Sequence, residues 1–245
     1  MIGSLSPASA GDRGRIGVKA FKSLLNVPLD ETSILHYIPS GMESVISCCV
    51  PKGRPREFDV NEALTAALRV FWRRGYEGAS MAELTAEMGI AKPSLYAAFG
   101  NKEELFKKAL DLYEREKLAY ISEALKEPTS RQMAERLLLG ALEMQTSSCD
   151  PKGCLGVISA VACGPEASSI RADVIERQKS GRQALINRLD EYKKEGDLPA
   201  DIEPEALARY MTAVLQGLSV QAGAGASKAE LRTLVDMTMR TWPGR

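Results

Sequence analysis

The chain has 245 residues, 44% of them apolar and 26% charged, with 32 basic residues balancing 32 acidic ones. This composition suffices to bury the core of one large or two smaller domains, and zero net charge argues against indiscriminate nucleic-acid binding but does not exclude a local basic patch. No apolar run approaches the roughly 20 residues that span a bilayer, and none follows the N-terminus as a signal peptide would, so the expected compartment is the cytoplasm, where the five cysteines stay mostly thiols.

Residues 1–51 are rich in Ser, Gly and Pro and sustain no amphipathic period. They read as a disordered leader, or as a start placed too far upstream with Met42 as the true one; a DNA-tethering arm is the alternative. The single histidine, His36, lies here without a Cys or carboxylate cluster and is a poor metal ligand. From Asp59 onward, Val60, Ala63, Leu64, Ala67, Leu68 and Phe71 recur at helical spacing, and Arg73-Arg74-Gly75 closes that helix. Ser80 with Glu83 forms a capping box for a short second helix faced by Met81, Leu84 and Met88. Gly89 ends it, Ile90 fills the angle, and a third short helix runs from about Ala91 to Phe99 with Pro93 in its first turn. Asn101 with Glu104 caps a fourth helix, carrying Leu105, Phe106, Ala109, Leu110 and Tyr113 and continuing to about Leu125. Beyond Pro128, helices are expected over about 130–146, 165–195, 203–222 and 228–241. There is no strand-like alternation and no internal repeat, so the fold class is all-α.

Two short helices joined at a glycine turn, Ser80 to Phe99, are the helix-turn-helix pattern, whose second helix enters the major groove. Small or polar residues must then face outward, and Lys92, Pro93, Ser94, Ala97 and Ala98 supply that surface. Lys92 and Ser94 can reach phosphates or base edges; the apolar surfaces of Pro93 and Ala97 suit a thymine methyl. Lys52-Gly53-Arg54-Pro55-Arg56, just upstream, is either a solvated charge run or a basic arm for the narrow minor groove.

The string Ser80-Met-Ala-Glu-Leu-Thr-Ala-Glu-Met-Gly-Ile-Ala-Lys-Pro-Ser-Leu-Tyr-Ala-Ala-Phe-Gly-Asn-Lys-Glu-Glu-Leu-Phe106 closely resembles the signature of the TetR family, and Phe71-Trp-Arg-Arg-Gly-Tyr-Glu-Gly-Ala-Ser80 before it matches too. This covers about a quarter of the chain. The resemblance implies that Ser80 caps its helix and touches a phosphate, that Lys92, Pro93 and Ser94 face the major groove, and that Tyr96 and Lys102 bind the DNA backbone. It also implies a head at residues 52–105 and an effector-binding, dimerising helical domain at 106–245. The expected partners are double-stranded operator DNA, an unidentified small-molecule effector and a second copy, with no membrane and no cofactor. The expected function is a repressor released from a palindrome by a small-molecule or redox signal. The apolar positions of 206–220 (Leu207, Met211, Val214, Leu215, Leu218) with those of 170–192 are expected to form a four-helix interface between copies.

Cys149, Cys154 and Cys163 fall within a short span. They read as small packed residues, as an electrophile or oxidant sensor with Lys152 favouring a thiolate, or as ligands for a soft metal at non-standard spacing. The Gly-Cys-Leu sequence at Cys154 is similar to one in a TetR branch where such a loop precedes a pocket-lining helix. Met133, Met144 and the apolar face around 137–142 read as core. An enzyme would need a nucleophile with a base, a phosphate loop or a metal cluster, and no such motif stands in the sequence. The remaining alternative is a helical thiol- or metal-sensing scaffold with no DNA role.

Overall fold

The computed structural model describes residues 58–162, 164 and 167–244, which carry ten helices and no strand. The leader, His36, the basic arm of Lys52, Arg54 and Arg56, and Cys163 lie outside the described residues.

Helix α1 (Val60–Gly78) starts where the Asp59 carboxylate accepts from the backbone N–H of Asn61 (2.7 Å) and Glu62 (3.1 Å). This satisfies donors that a helix N-terminus leaves free. The predicted break at Gly75 is present as a kink at φ 71°, ψ 176°, followed by one more turn. That backbone is nearly closed to residues with a Cβ, so Gly75→Ala is expected to destabilise the fold by about 1–3 kcal/mol, even though the Cβ itself would meet only Ile158 at 3.6 Å. Urea unfolding checks this; a loss below 0.5 kcal/mol, roughly the surface-substitution level, would count against it.

Helix α2 (Met81–Met88) is capped by the Ser80 hydroxyl, which accepts from Glu83 N–H at 3.0 Å. The reciprocal half of the expected box is absent. The Glu83 carboxylate instead accepts from Arg74 of α1 at 3.2 Å, a charge-assisted bond that outcompetes a neutral amide. Gly89, at φ 65°, turns the chain into α3 (Lys92–Phe99). Helix α4 (Lys102–Lys117) has the full box: Asn101 and Glu104 each accept the other's backbone N–H at 2.9 Å.

The fourth helix does not run on to Leu125. It stops at Lys117, and after Leu118 (φ −103°, ψ 8°) the chain resumes as α5 (Ala119–Ala124). No Gly or Pro announces this break. Leu118, Tyr120, Ile121 and Leu125 all line one cavity, and packing around it sets the turn. Helix α6 (Ser130–Thr146) has the expected bounds, and α7 (Leu155–Ala162) is a helix that the periodicity did not reveal. Helices α8 (Ser168–Lys194), α9 (Pro204–Gly223) and α10 (Lys228–Thr241) follow.

Two apolar cores result. Phe71, Leu84, Leu95, Phe99, Leu105 and Phe106 unite α1–α4, and Leu155, Ile170 and Val174 from later helices complete that cluster. Phe71 meets Phe106 edge-on at 5.0 Å, and Trp72 meets Tyr113 edge-on at 4.8 Å. The second core joins α5, α6, α8, α9 and α10. Leu207, Met211 and Leu218 are buried in it, as are Leu185, Leu189 and Tyr192. The apolar stripe expected between copies is thus largely consumed inside the chain. The α9 face left outward is the adjacent one: Ala206, Tyr210, Ala213, Gly217 and Val220, with Tyr210 45% and Val220 59% exposed.

Candidate nucleic-acid interface and internal cavity

The angle between α2 and α3 is locked from within by Leu84, Met88, Ile90, Leu95 and Phe99, all buried. Arg73–Glu87 (3.1 Å) and Arg74–Glu83 (3.2 Å) tie α2 to α1 from outside. With the core side of α3 occupied, its outer side carries Lys92, Pro93 and Ala97 exposed, Ser94 half-buried and Tyr96 45% exposed. These groups share one eight-residue helix whose N-terminus has no side-chain cap, so its free N–H groups add a positive potential. Ser80 is exposed, but its hydroxyl already accepts from Glu83. Lys102 opens α4; its ammonium lies 4.7 Å from the centre of the Tyr76 ring. Burial lowers its pKa, and the nearby Glu77 charge offsets only part of that. Sequence reasoning missed Lys108, which donates to the Phe99 carbonyl at 2.9 Å and pins the end of α3. Nothing local marks it, because the two are nine positions apart and meet only when α3 folds onto α4.

A cavity of about 230 Å³ lies among the later helices, walled by apolar side chains such as Leu110, Leu118, Ile121, Leu137 and Leu185. Met144, read as core, lines it, whereas Met133 is buried in the second core as expected. Cys154 faces this cavity, and its sulfur lies 3.3 Å from the Tyr113 hydroxyl. Burial, reinforced by Cys154, holds the Tyr113 phenol well above its usual range. Cys149, by contrast, is exposed to solvent. Lys152, expected to favour a thiolate, donates its ammonium to the Ser147 carbonyl at 2.6 Å.

Arg177 of α8 also reaches the wall. Its guanidinium meets Asp111 and Glu114 of α4 at 2.8 Å each and Asp173 at 3.2 Å. Burial opposes its charge, but the bonds to Asp111 and Glu114 prevail and raise its pKa. The loop before α7 is held at Gly153 by α1 and α6. Trp72 of α1 donates to the Gly153 carbonyl at 2.8 Å, and Gly153 N–H donates to Gln145 of α6 at 3.0 Å. Gln145 in turn donates to Ser219 of α9 at 2.8 Å. Cys154 therefore stands beside a peptide bound to the first helix. Among the described residues no group of three His, Cys, Asp or Glu side chains is placed to hold a metal ion, and no helix is long and apolar enough to cross a membrane.

The family model for bacterial regulatory proteins of the tetR family matches residues 63–109, from α1 into α4. The HTH-type transcriptional repressor ComR of Escherichia coli K12 is 32% identical over 199 residues, covering 80% of this chain and 95% of ComR. The HTH-type transcriptional regulator YezE of Bacillus subtilis 168 is 34% identical, covering 76% of this chain and 97% of YezE. Among solved structures, a cysteine variant of the TetR family regulator CifR, in complex with 26-base-pair operator DNA, superposes with a TM-score of 0.74 at 40% identity. That match covers 78% of this chain and all of the CifR chain.

Proposed function

The chain belongs to the TetR family of bacterial regulatory proteins, and from that premise we propose that it is a transcriptional repressor that grips an operator through α2 and α3 and releases it when a small molecule enters the cavity. The observation that carries this reading is the operator-bound CifR chain, matched along its whole length. In this reading Lys92, Pro93 and Ser94 address the major groove, while Ser80, Tyr96 and Lys102 touch phosphates. Phosphate contacts position the protein and base contacts specify the sequence. The basic arm of Lys52, Arg54 and Arg56 adds minor-groove contacts. Residues 52–105 form the head and 106–245 the sensor, in a cytoplasmic protein. Its curated relatives are transcriptional regulators, so the reading is a binding protein and not an enzyme; they lend no support to a scaffold without a DNA role.

A second copy docks on the outward face of α9, centred on Ala213, which gives the two-fold symmetry of a palindrome. Two routes lead from the cavity to the head. Tyr113 belongs to α4 and Arg177 is bonded to it, and the same helix carries Leu105 and Phe106, which pack in one core with α1–α3. Gly153, next to Cys154, acts on Trp72 of α1. Cys154, the one described thiol on the cavity wall, is the candidate for the redox or electrophile arm of the signal; Cys149 and Cys163 complete the candidate set.

Fluorescence anisotropy with the DNA upstream of the protein's own and neighbouring genes tests the reading. Saturable binding that weakens steeply with salt is expected, since each neutralised phosphate releases counterions. Tyr96→Phe and Lys102→Gln should each weaken binding by about 1–3 kcal/mol on every sequence. Unchanged affinity in both variants would remove the phosphate assignment, and absence of specific binding would remove the repressor reading.

A further inference from the structure

Tyr120 of α5 occupies a position that the rest of the cavity does not explain. Its ring lies against Gly140 of α6, where a Cβ would come 2.4 Å from ring atom Cδ2 and 2.7 Å from Cγ. No residue but glycine accommodates the ring there, because such distances lie far inside van der Waals contact. The ring is thereby fixed at the cavity wall. Tyr120 is half-buried; its hydroxyl is close enough to Cys154 to feel it electrostatically and makes no hydrogen bond among the described residues. Tyr113, its neighbour on the wall, does have partners in Cys154 and Met144. A phenol on the cavity wall with no protein acceptor keeps its O–H free for a molecule that enters the cavity.

The remaining walls restrict that partner. A cavity of 150 Å³ lined by aliphatic and aromatic side chains admits benzene; this one, at about 230 Å³, admits a benzene ring bearing a short substituent. The guanidinium of Arg177 at the wall is held by three carboxylates, Asp111, Glu114 and Asp173. With its charge met by these three carboxylates, Arg177 is not available to an anion in the cavity. An ionised ligand would also lose its hydration against apolar walls.

We propose that Tyr120, seated by Gly140, determines specificity by donating its hydroxyl to the acceptor oxygen of a small, neutral, largely apolar ligand of aromatic-ketone size. Burial, with Cys154 as a lesser cause, raises the Tyr120 phenol well above its ordinary range, so it keeps its proton to donate. The proposal rests on the reading of the cavity as the effector site.

Isothermal titration of the full chain with acetophenone and with ethylbenzene, which has the same outline without the acceptor oxygen, tests it. Wild type is expected to bind acetophenone about three- to tenfold more tightly, the range of one net hydrogen bond. Tyr120→Phe should abolish that preference while leaving ethylbenzene affinity unchanged. Gly140→Ala should displace the ring and weaken both probes, with helical content by circular dichroism preserved. Equal binding in wild type, a preference that survives Tyr120→Phe, or no binding of either probe would overturn the proposal. Operator release measured in parallel separates the two readings. Tyr120-dependent binding without release upholds the proposal and removes the effector reading; equal binding of both probes with release does the reverse.

Discussion

Ala213→Glu is expected to yield a folded monomer that has lost operator binding by roughly a hundredfold or more. Position 213 is exposed in the single chain, so the substitution touches no intrachain contact and should change its stability by no more than about 0.5 kcal/mol. In the proposed interface between copies the same position sits mid-stripe, between Tyr210 and Gly217. Two-fold symmetry then brings the added carboxylates together, each buried and unpaired, at a cost of several kcal/mol. Separating the copies removes the linkage that makes the second half-site an intramolecular event, which is worth about two to four orders of magnitude in affinity. Light scattering coupled to size exclusion, with anisotropy on the palindrome, reads both effects. A variant that stays dimeric would place the interface elsewhere.

Trp72→Phe is expected to destabilise the protein by about 2–4 kcal/mol, far more than its modest change of shape suggests. Trp72 is 1% exposed, and its indole N–H is bonded to the carbonyl of buried Gly153. Phenylalanine leaves that carbonyl without its donor and opens a gap beside Tyr113. Gln145→Ala strips the other side of the same glycine, whose N–H the amide side chain accepts. The two changes act on one residue, so their double variant should depart from additivity by about 0.5–3 kcal/mol. Urea denaturation of the four proteins decides it: strict additivity would mean that Gly153 does not couple α1 to α6, and the route from cavity to head through Trp72 would fall with it.

The head was largely legible in the sequence because its signals are local. Ser80 three positions before Glu83, Gly89 between two short apolar periods and Asn101 before Glu104 each specify a cap or a turn within a few residues. What failed even there was Glu83, drawn to Arg74 by a contact between helices. The sensor was less legible. Helix α7, Leu155-Gly-Val-Ile-Ser-Ala-Val-Ala162, has no charged residue to mark a polar face, so no period emerges, and the stop at Leu118 carries no breaker residue. On α9 two stripes of nearly equal spacing lie side by side. Periodicity selected the greasier, Leu207-Met211-Leu218, which the chain buries within itself; the Ala206-Tyr210-Ala213-Gly217-Val220 stripe faces outward.

By itself, then, the sequence determined the helical class, the capped helix-turn-helix and the family, since caps, glycine turns and amphipathic periods depend on neighbours a few positions away. The tertiary structure decided which cysteine meets the cavity, that Tyr120 lies in the cradle of Gly140, and that Arg177 holds α8 to α4. Those contacts join residues 20 to more than 60 positions apart, as Tyr120 to Gly140 and Glu114 to Arg177 show. Side-chain spacing along one helix does not encode which distant helix its face will meet; close packing of the whole core does.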